Sequence, residues 1–177
     1  MIPRIPTATC RIQLREGVDF AALTARLDQI ADLGVFSVQN PWLADVLTHG
    51  RSSPRARHFD IDWQAGPLVL PWLPAPFEQM LTEGAFRVRD GQWMFGDLAL
   101  PLAPGTNATD DLRALHEAQH WRLVHHVLER DGITHRRFFN VTDLIGMRVE
   151  DPSVFEDTHA LILELVRSGQ VQGLRVD

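Results

Sequence analysis

The sequence predicts an α/β fold, on three observations. Residues 8–15 (Ala-Thr-Cys-Arg-Ile-Gln-Leu-Arg) alternate apolar and polar with the two-residue period of a half-buried strand. Residues 19–33 place Phe20, Leu23, Leu27 and Ile30 at helical spacing, and a second strand-like run follows at Val35-Phe36-Ser37-Val38. Near the other end an apolar-periodic helix through Ala160–Val166 leads into Gly173-Leu174-Arg175-Val176-Asp177, a short apolar run tipped by a carboxylate. Strand and helix alternating in this way point to parallel strands joined by crossover helices. A (β/α) barrel of such units gathers its functional groups at the C-terminal tips of its strands.

Each element has a local reason. Asp19 can cap the first helix and Gly34 can end it, since one supplies a side-chain acceptor and the other tolerates left-handed backbone. Residues 48–110 break the periodicity. They are rich in Pro, Gly and aromatics, with strand-like pieces only around Leu68-Val69-Leu70 and Trp93-Met94-Phe95. Residues 111–129 predict a helix whose core contacts would be Leu112, Leu115, Leu123 and Val127. There is no internal repeat and no low-complexity tract.

Composition narrows the function classes. A chain of 177 residues, 45% hydrophobic, can bury one real core. A net charge of -6 argues against binding a phosphate backbone, and the basic cluster Arg51–Arg57 is too short to reverse that. The single Cys10 rules out an internal disulfide framework and fits a reducing, cytoplasmic setting. No run of about 18 apolar residues is present, and Met1–Cys10 lacks the charged and apolar regions of a signal peptide. The expectation is therefore a cytoplasmic protein without nucleic-acid or membrane partners.

Several motifs bear a close resemblance to one family. Arg136-Arg137-Phe138-Phe139, Arg148-Val149-Glu150-Asp151-Pro152, Thr158–Leu163 and the terminal Gly-Leu-Arg-Val-Asp resemble those of the maltooligosyl trehalose synthases. So do Cys10–Arg15, Gly50-Arg51-Ser52-Ser53-Pro54 and Phe59-Asp60-Ile61-Asp62-Trp63. These are isomerases (intramolecular transferases) of the α-amylase superfamily, glycoside hydrolase family 13, acting in trehalose biosynthesis. The resemblance implies an incomplete (β/α)8 TIM barrel of the α-amylase type with an inserted irregular α+β excursion. On that reading residues 1–38 are the first β/α unit and 39–130 an excursion ending in a helix. Residues 131–177 are a helix and a barrel strand carrying the nucleophile.

The family pattern also implies missing pieces. After Leu33-Gly34-Val35 the family continues through a His-Gly-Tyr-Asp loop and a strand bearing Asp-Ile-Val-Pro-Asn-His. Here Gln39–Leu47 follows at once. At about 31 residues per β/α unit, roughly two units are expected to be absent, a fragment with an internal deletion. The family's acid glutamate would fall beyond Asp177.

The resemblance assigns the site residues. Asp177 is the expected glycosyl nucleophile. Arg175, two residues earlier on the same strand face, would keep that carboxylate ionised. Retaining transfer needs a second carboxyl about 5 Å away as the acid. Arg137, Asp143 and Trp63 are expected substrate contacts, an aromatic face suiting the C–H face of a sugar. For Asp143 the competing reading is a helix-start cap. Asn140, Thr142 and Asp143 depart from the family's Arg-Arg-Phe-Phe-Asp-Val-Asn-Glu. Trp42, Trp72, Trp93 and Trp121 are mostly expected in packing. The implied substrate is a maltooligosaccharide, no cofactor or metal is implied, and a functional link to a trehalose-releasing hydrolase follows from the product.

Two other readings stand beside it. One is an inactive remnant that binds glucan weakly at most. The other is a zinc hydrolase on His116-Glu117-Ala118-Gln119-His120, which fits H-E-x-x-H. Against zinc, Leu123 occupies the position where the extended motif needs glycine, and in a continuous helix His126 would leave the face of His116.

Overall fold

The computed structural model describes residues 40–106, 109–130, 132–138 and 141–169. The chain divides into two compact units, residues 36–148 and residues 1–35 with 149–177. The expected elements at 8–15, 19–33, 35–38 and 173–177, with Arg175 and Asp177, lie outside the described residues.

The larger unit begins with helix α1 (Pro41–His49). Asn40 caps it, its Oδ1 accepting from the N–H groups of Trp42 (2.8 Å) and Leu43 (3.3 Å), and Pro41 opens the first turn where no N–H is needed. Leu43, Val46 and Leu47, spaced i, i+3, i+4, form its buried face. Gly50 ends the helix at φ 59°.

Strand β1 (Leu68–Leu73) pairs in parallel with β5 (Trp121–His125). Their register is Leu68 to Trp121, Val69 to Arg122 and Leu70 to Leu123, and it slips before Leu73. Pro71 lies at that slip, where a residue without an N–H breaks no regular ladder. Between the two strands the chain makes helix α2 (Phe77–Thr82), a meander β2 (Phe86–Arg89), β3 (Gln92–Phe95), β4 (Leu98–Pro101), and helix α3 (Leu112–Glu117). The β2–β3 turn is Asp90-Gly91, both at positive φ (51° and 72°), as a two-residue hairpin of this twist requires.

The expected helix over 111–129 is corrected. Asp111 caps α3 by accepting from Arg113 N (2.9 Å) and Ala114 N (3.2 Å), but the helix ends at Glu117. Trp121 and Leu123 then alternate inward on β5, each fully buried. His126–Glu129 is a 3-10 turn, and Val127, expected in the core, is 66% exposed. Pairing with β1 overrides the local helical pattern. The strand pieces at 68–70 and 93–95 are present within β1 and β3.

Strands β6 (Arg137–Phe138) and β7 (Val141–Ile145) pair antiparallel. Isolated bridges tie Phe59 to Met147 and Ile61 to His135. The core runs from α1 through Phe59, Leu68, Leu70, Trp93, Leu100, Trp121 and Leu123 to Ile145. The sheets of this unit are thus small and mixed, one parallel pair and two antiparallel groups among the described residues.

In the other unit the expected C-terminal helix is present as α4 (Pro152–Arg167). Asp151 caps it, accepting from Ser153 N at 2.8 Å, and Pro152 takes the first helical position.

Candidate functional site

A cleft of about 420 Å³ opens in the larger unit between the end of α1, the loop before β1 and the start of β5. Its lining includes His49, Arg51, Ser52, Trp63, Gln119, His120 and Arg122, with Gly66 and Pro67 as its flat part. Among the described residues two arginines and two histidines line it, and no carboxylate does.

Each side chain is set by its element. His49, in the last turn of α1, is tied to Asp45 one turn earlier, Nδ1 to Oδ1 at 3.0 Å. An ionised carboxylate only accepts, so Nδ1 carries the hydrogen and Nε2 is left as the acceptor nitrogen. The other Asp45 oxygen, Oδ2, accepts from Ser53 Oγ at 2.5 Å. Arg51 and Ser52 sit exposed on the 3-10 turn after α1. Ser52 Oγ donates to His49 O (2.7 Å), whereas Arg51 has no partner among the described residues.

Gln119 is a clamp. Its Oε1 accepts from Ala103 N (2.6 Å), and its Nε2 donates to Leu115 O (2.6 Å) and Thr106 Oγ1 (3.1 Å). Arg122 closes the end of α3 by donating to the carbonyls of His116 (3.0 Å), Gln119 (2.7 Å), Trp121 (2.8 Å) and Glu117. Burial lowers the Arg122 pKa while Glu117 works to raise it.

His120 packs directly over Gly50, where a Cβ would stand 2.5 Å from its Cγ. Its ring nitrogens make no hydrogen bond among the described residues, and its pKa is lowered by burial, then by His49 and Arg122. Trp63 is half-buried against the core. Its indole N–H is buried without a partner among the described residues, so what it turns to solvent is hydrocarbon.

The H-E-x-x-H stretch is not one helical face. His116 is 5% exposed, stacks on Phe77 at 4.0 Å, and its Nε2 accepts from Leu123 N–H at 3.0 Å. That hydrogen bond occupies the lone pair a metal would need, and His120 lies past the end of α3. The zinc reading fails on this geometry.

Of the expected site residues that are described, Trp63 lines the cleft and Arg137 and Asp143 do not. Arg137 is on β6 and pairs with Glu129 of the 3-10 turn. Asp143 lies within β7, so its reading as a helix-start cap is corrected. Trp93 and Trp121 are fully buried, and Trp42 stacks under the Arg55 guanidinium at 4.3 Å.

Reading the sequence alone missed His49, Arg51, Ser52, His120 and Arg122 as a group. The signal was available. Gly50–Pro54, Phe59–Trp63 and the Glu-x-Gln-His-x-Arg-Leu of 117–123 are three separate family-like segments, and all three meet at this cleft.

No family model matches the chain. A Mycobacterium tuberculosis (strain CDC 1551 / Oshkosh) protein, assigned by name to the maltooligosyl trehalose synthases, is 42% identical over 142 residues. That match covers 78% of this chain and 18% of the relative, so the chain spans less than a fifth of that protein's length. Maltooligosyltrehalose synthase from Arthrobacter ramosus superposes with a TM-score of 0.74 at 36% identity, over 82% of this chain and 19% of that one. A hypothetical maltooligosyl trehalose synthase of Sulfolobus tokodaii superposes at 0.60 and 30% identity, over 74% and 18%.

Proposed function

The chain belongs with the maltooligosyl trehalose synthases, and from that premise we propose that it carries the N-terminal part of an enzyme isomerising the reducing-end α-1,4 linkage of maltooligosaccharides to α,α-1,1. The observation that carries this reading is the 42% identity over 142 residues, 78% of the chain. On this reading α1 and the elements from β1 to β5 belong to the excursion over residues 39–130, and residues 131–177 to the barrel.

The chemistry follows from Asp177. Its carboxylate attacks the anomeric carbon on the non-reducing side of the terminal linkage, and the departing 4-oxygen of the end glucose takes a proton from the acid glutamate that the family pattern puts after Asp177. The freed glucose turns, and its 1-hydroxyl attacks the glycosyl-enzyme, releasing Asp177 and returning the proton. Two inversions give net retention. Water must be kept out, because hydrolysis of the intermediate would give glucose instead. Arg175 holds Asp177 ionised, while Arg137, Asp143 and Trp63 contact the glucan. The protein works in the cytoplasm and hands its product to a trehalose-releasing hydrolase.

The test is incubation with maltopentaose. Loss of reducing ends without release of glucose supports the reading, and Asp177→Asn should abolish that loss. A second reading is glucan binding without turnover, for which the sugar-sized cleft beside Trp63 suffices. Unchanged reducing ends together with saturable maltopentaose binding would select it.

A further inference from the structure

We infer that the cleft beside Trp63 binds a phosphorylated sugar, its anion held by Arg51 and His120 and its ring laid on the Trp63 indole. The sugar half of this inference rests on the glucan reading of Trp63. The anion half stands on the cleft alone.

The cleft's charge is unusual for this protein. The chain as a whole carries -6, yet among the described residues this concavity is lined by Arg51, Arg122, His49 and His120 and by no carboxylate. A neutral glucan gives no reason to leave the Arg51 guanidinium uncompensated at the rim of a sugar-sized cleft. A phosphate monoester does, since its oxygens accept from guanidinium and imidazole donors in short, charge-assisted bonds.

The nearby acids are already used. Asp45 has one oxygen on His49 and the other on Ser53. Glu117 faces Arg122, whose guanidinium is spent on the carbonyls that end α3. Arg51 is thus the cation with donors to spare, exposed at the rim and without a partner among the described residues. His120 offers two ring nitrogens with no hydrogen bond among the described residues.

Size and shape agree. A volume of about 420 Å³ falls within the usual range for small-ligand pockets, roughly 300–1,000 Å³. The exposed hydrocarbon of Trp63 provides a stacking face, with Ser52 as a hydroxyl partner.

Burial, then His49 and Arg122, lower the pKa of His120 and so favour its neutral ring, which leaves the anion's charge to be met chiefly by Arg51. The groups facing His120 are His49 from α1, Arg51 from the turn and Arg122 from β5, with Asp45 and Glu117 behind them.

The experiment is calorimetric titration of the full chain with glucose 6-phosphate, inorganic phosphate and glucose. Glucose 6-phosphate should bind at least tenfold more tightly than either other probe at pH 7.5. Arg51→Gln, an exposed change that leaves the core intact, should weaken it about tenfold. His120→Leu, which removes both ring nitrogens, should weaken it as well. Absence of binding, equal affinity for inorganic phosphate, or indifference to Arg51→Gln would overturn the inference. None of these readouts needs turnover, so failure of the trehalose-forming reading is seen separately, in the maltopentaose assay.

Discussion

His116 and His135 have pKa values lowered from 6.5 to about 4, first by burial, then by Arg122 and Arg137 respectively. Unfolded, each takes up a proton near pH 6.5; folded, only near 4. The stability they represent is therefore complete above pH 6.5 and lost as pH falls from 6.5 to about 4. Each loss is on the order of 3 kcal/mol, so urea unfolding should show a steep decline across that window. The two residues differ in what they give up. Neither ring nitrogen of His135 has a partner among the described residues, so His135→Leu should hold stability at pH 7 and flatten the acid decline by about half. His116→Leu would strand the buried N–H of Leu123, at a cost of about 1–3 kcal/mol at every pH. Gly50 is a second sensitive position, since a Cβ there would meet the His120 ring and φ is 59°. Gly50→Ala should cost about 1–3 kcal/mol by thermal unfolding, and should weaken any ligand of the cleft by displacing His120.

At the level of elements, the segment 111–129 separates local from tertiary information. Leu123 and Val127 are four apart, and on one helix they would share a face. In the structure Leu123 is fully buried on β5 and Val127 is 66% exposed on the following turn. Leu123→Ala should therefore cost about 2–5 kcal/mol, whereas Val127→Ala should stay within about 0.5 kcal/mol. Equal losses in denaturant titrations would restore the continuous helix. Other elements were legible because their signals are local. Asp151-Pro152 opens α4 as a cap followed by a proline that lacks only an unneeded N–H. Asp90-Gly91 marks the β2–β3 hairpin as plainly, although the irregular composition of 48–110 hid it.

Across the whole molecule, every residue of the described core cluster falls between Leu43 and Ile145, inside the unit spanning 36–148. That unit expressed alone should unfold cooperatively, followed by the fluorescence of buried Trp93 and Trp121; a gradual, non-cooperative change would show that it depends on the rest of the chain. The sequence by itself determined the family, through motifs from Gly50–Pro54 to Arg148–Pro152, and the elements whose caps and turns are written in adjacent residues. It also made Trp63 a candidate, since a tryptophan in a family-like segment needs no partner to be noticed. What only the tertiary structure decided is the parallel pairing of β1 with β5, 53 positions apart at Leu68 and Trp121, and with it the cleft. The bond from Leu123 N–H to the His116 ring, the clamp of Gln119 and the seating of His120 on Gly50 all depend on that pairing. Local propensity is a sum over neighbours in the chain, whereas strand pairing and burial join residues that are neighbours only in space.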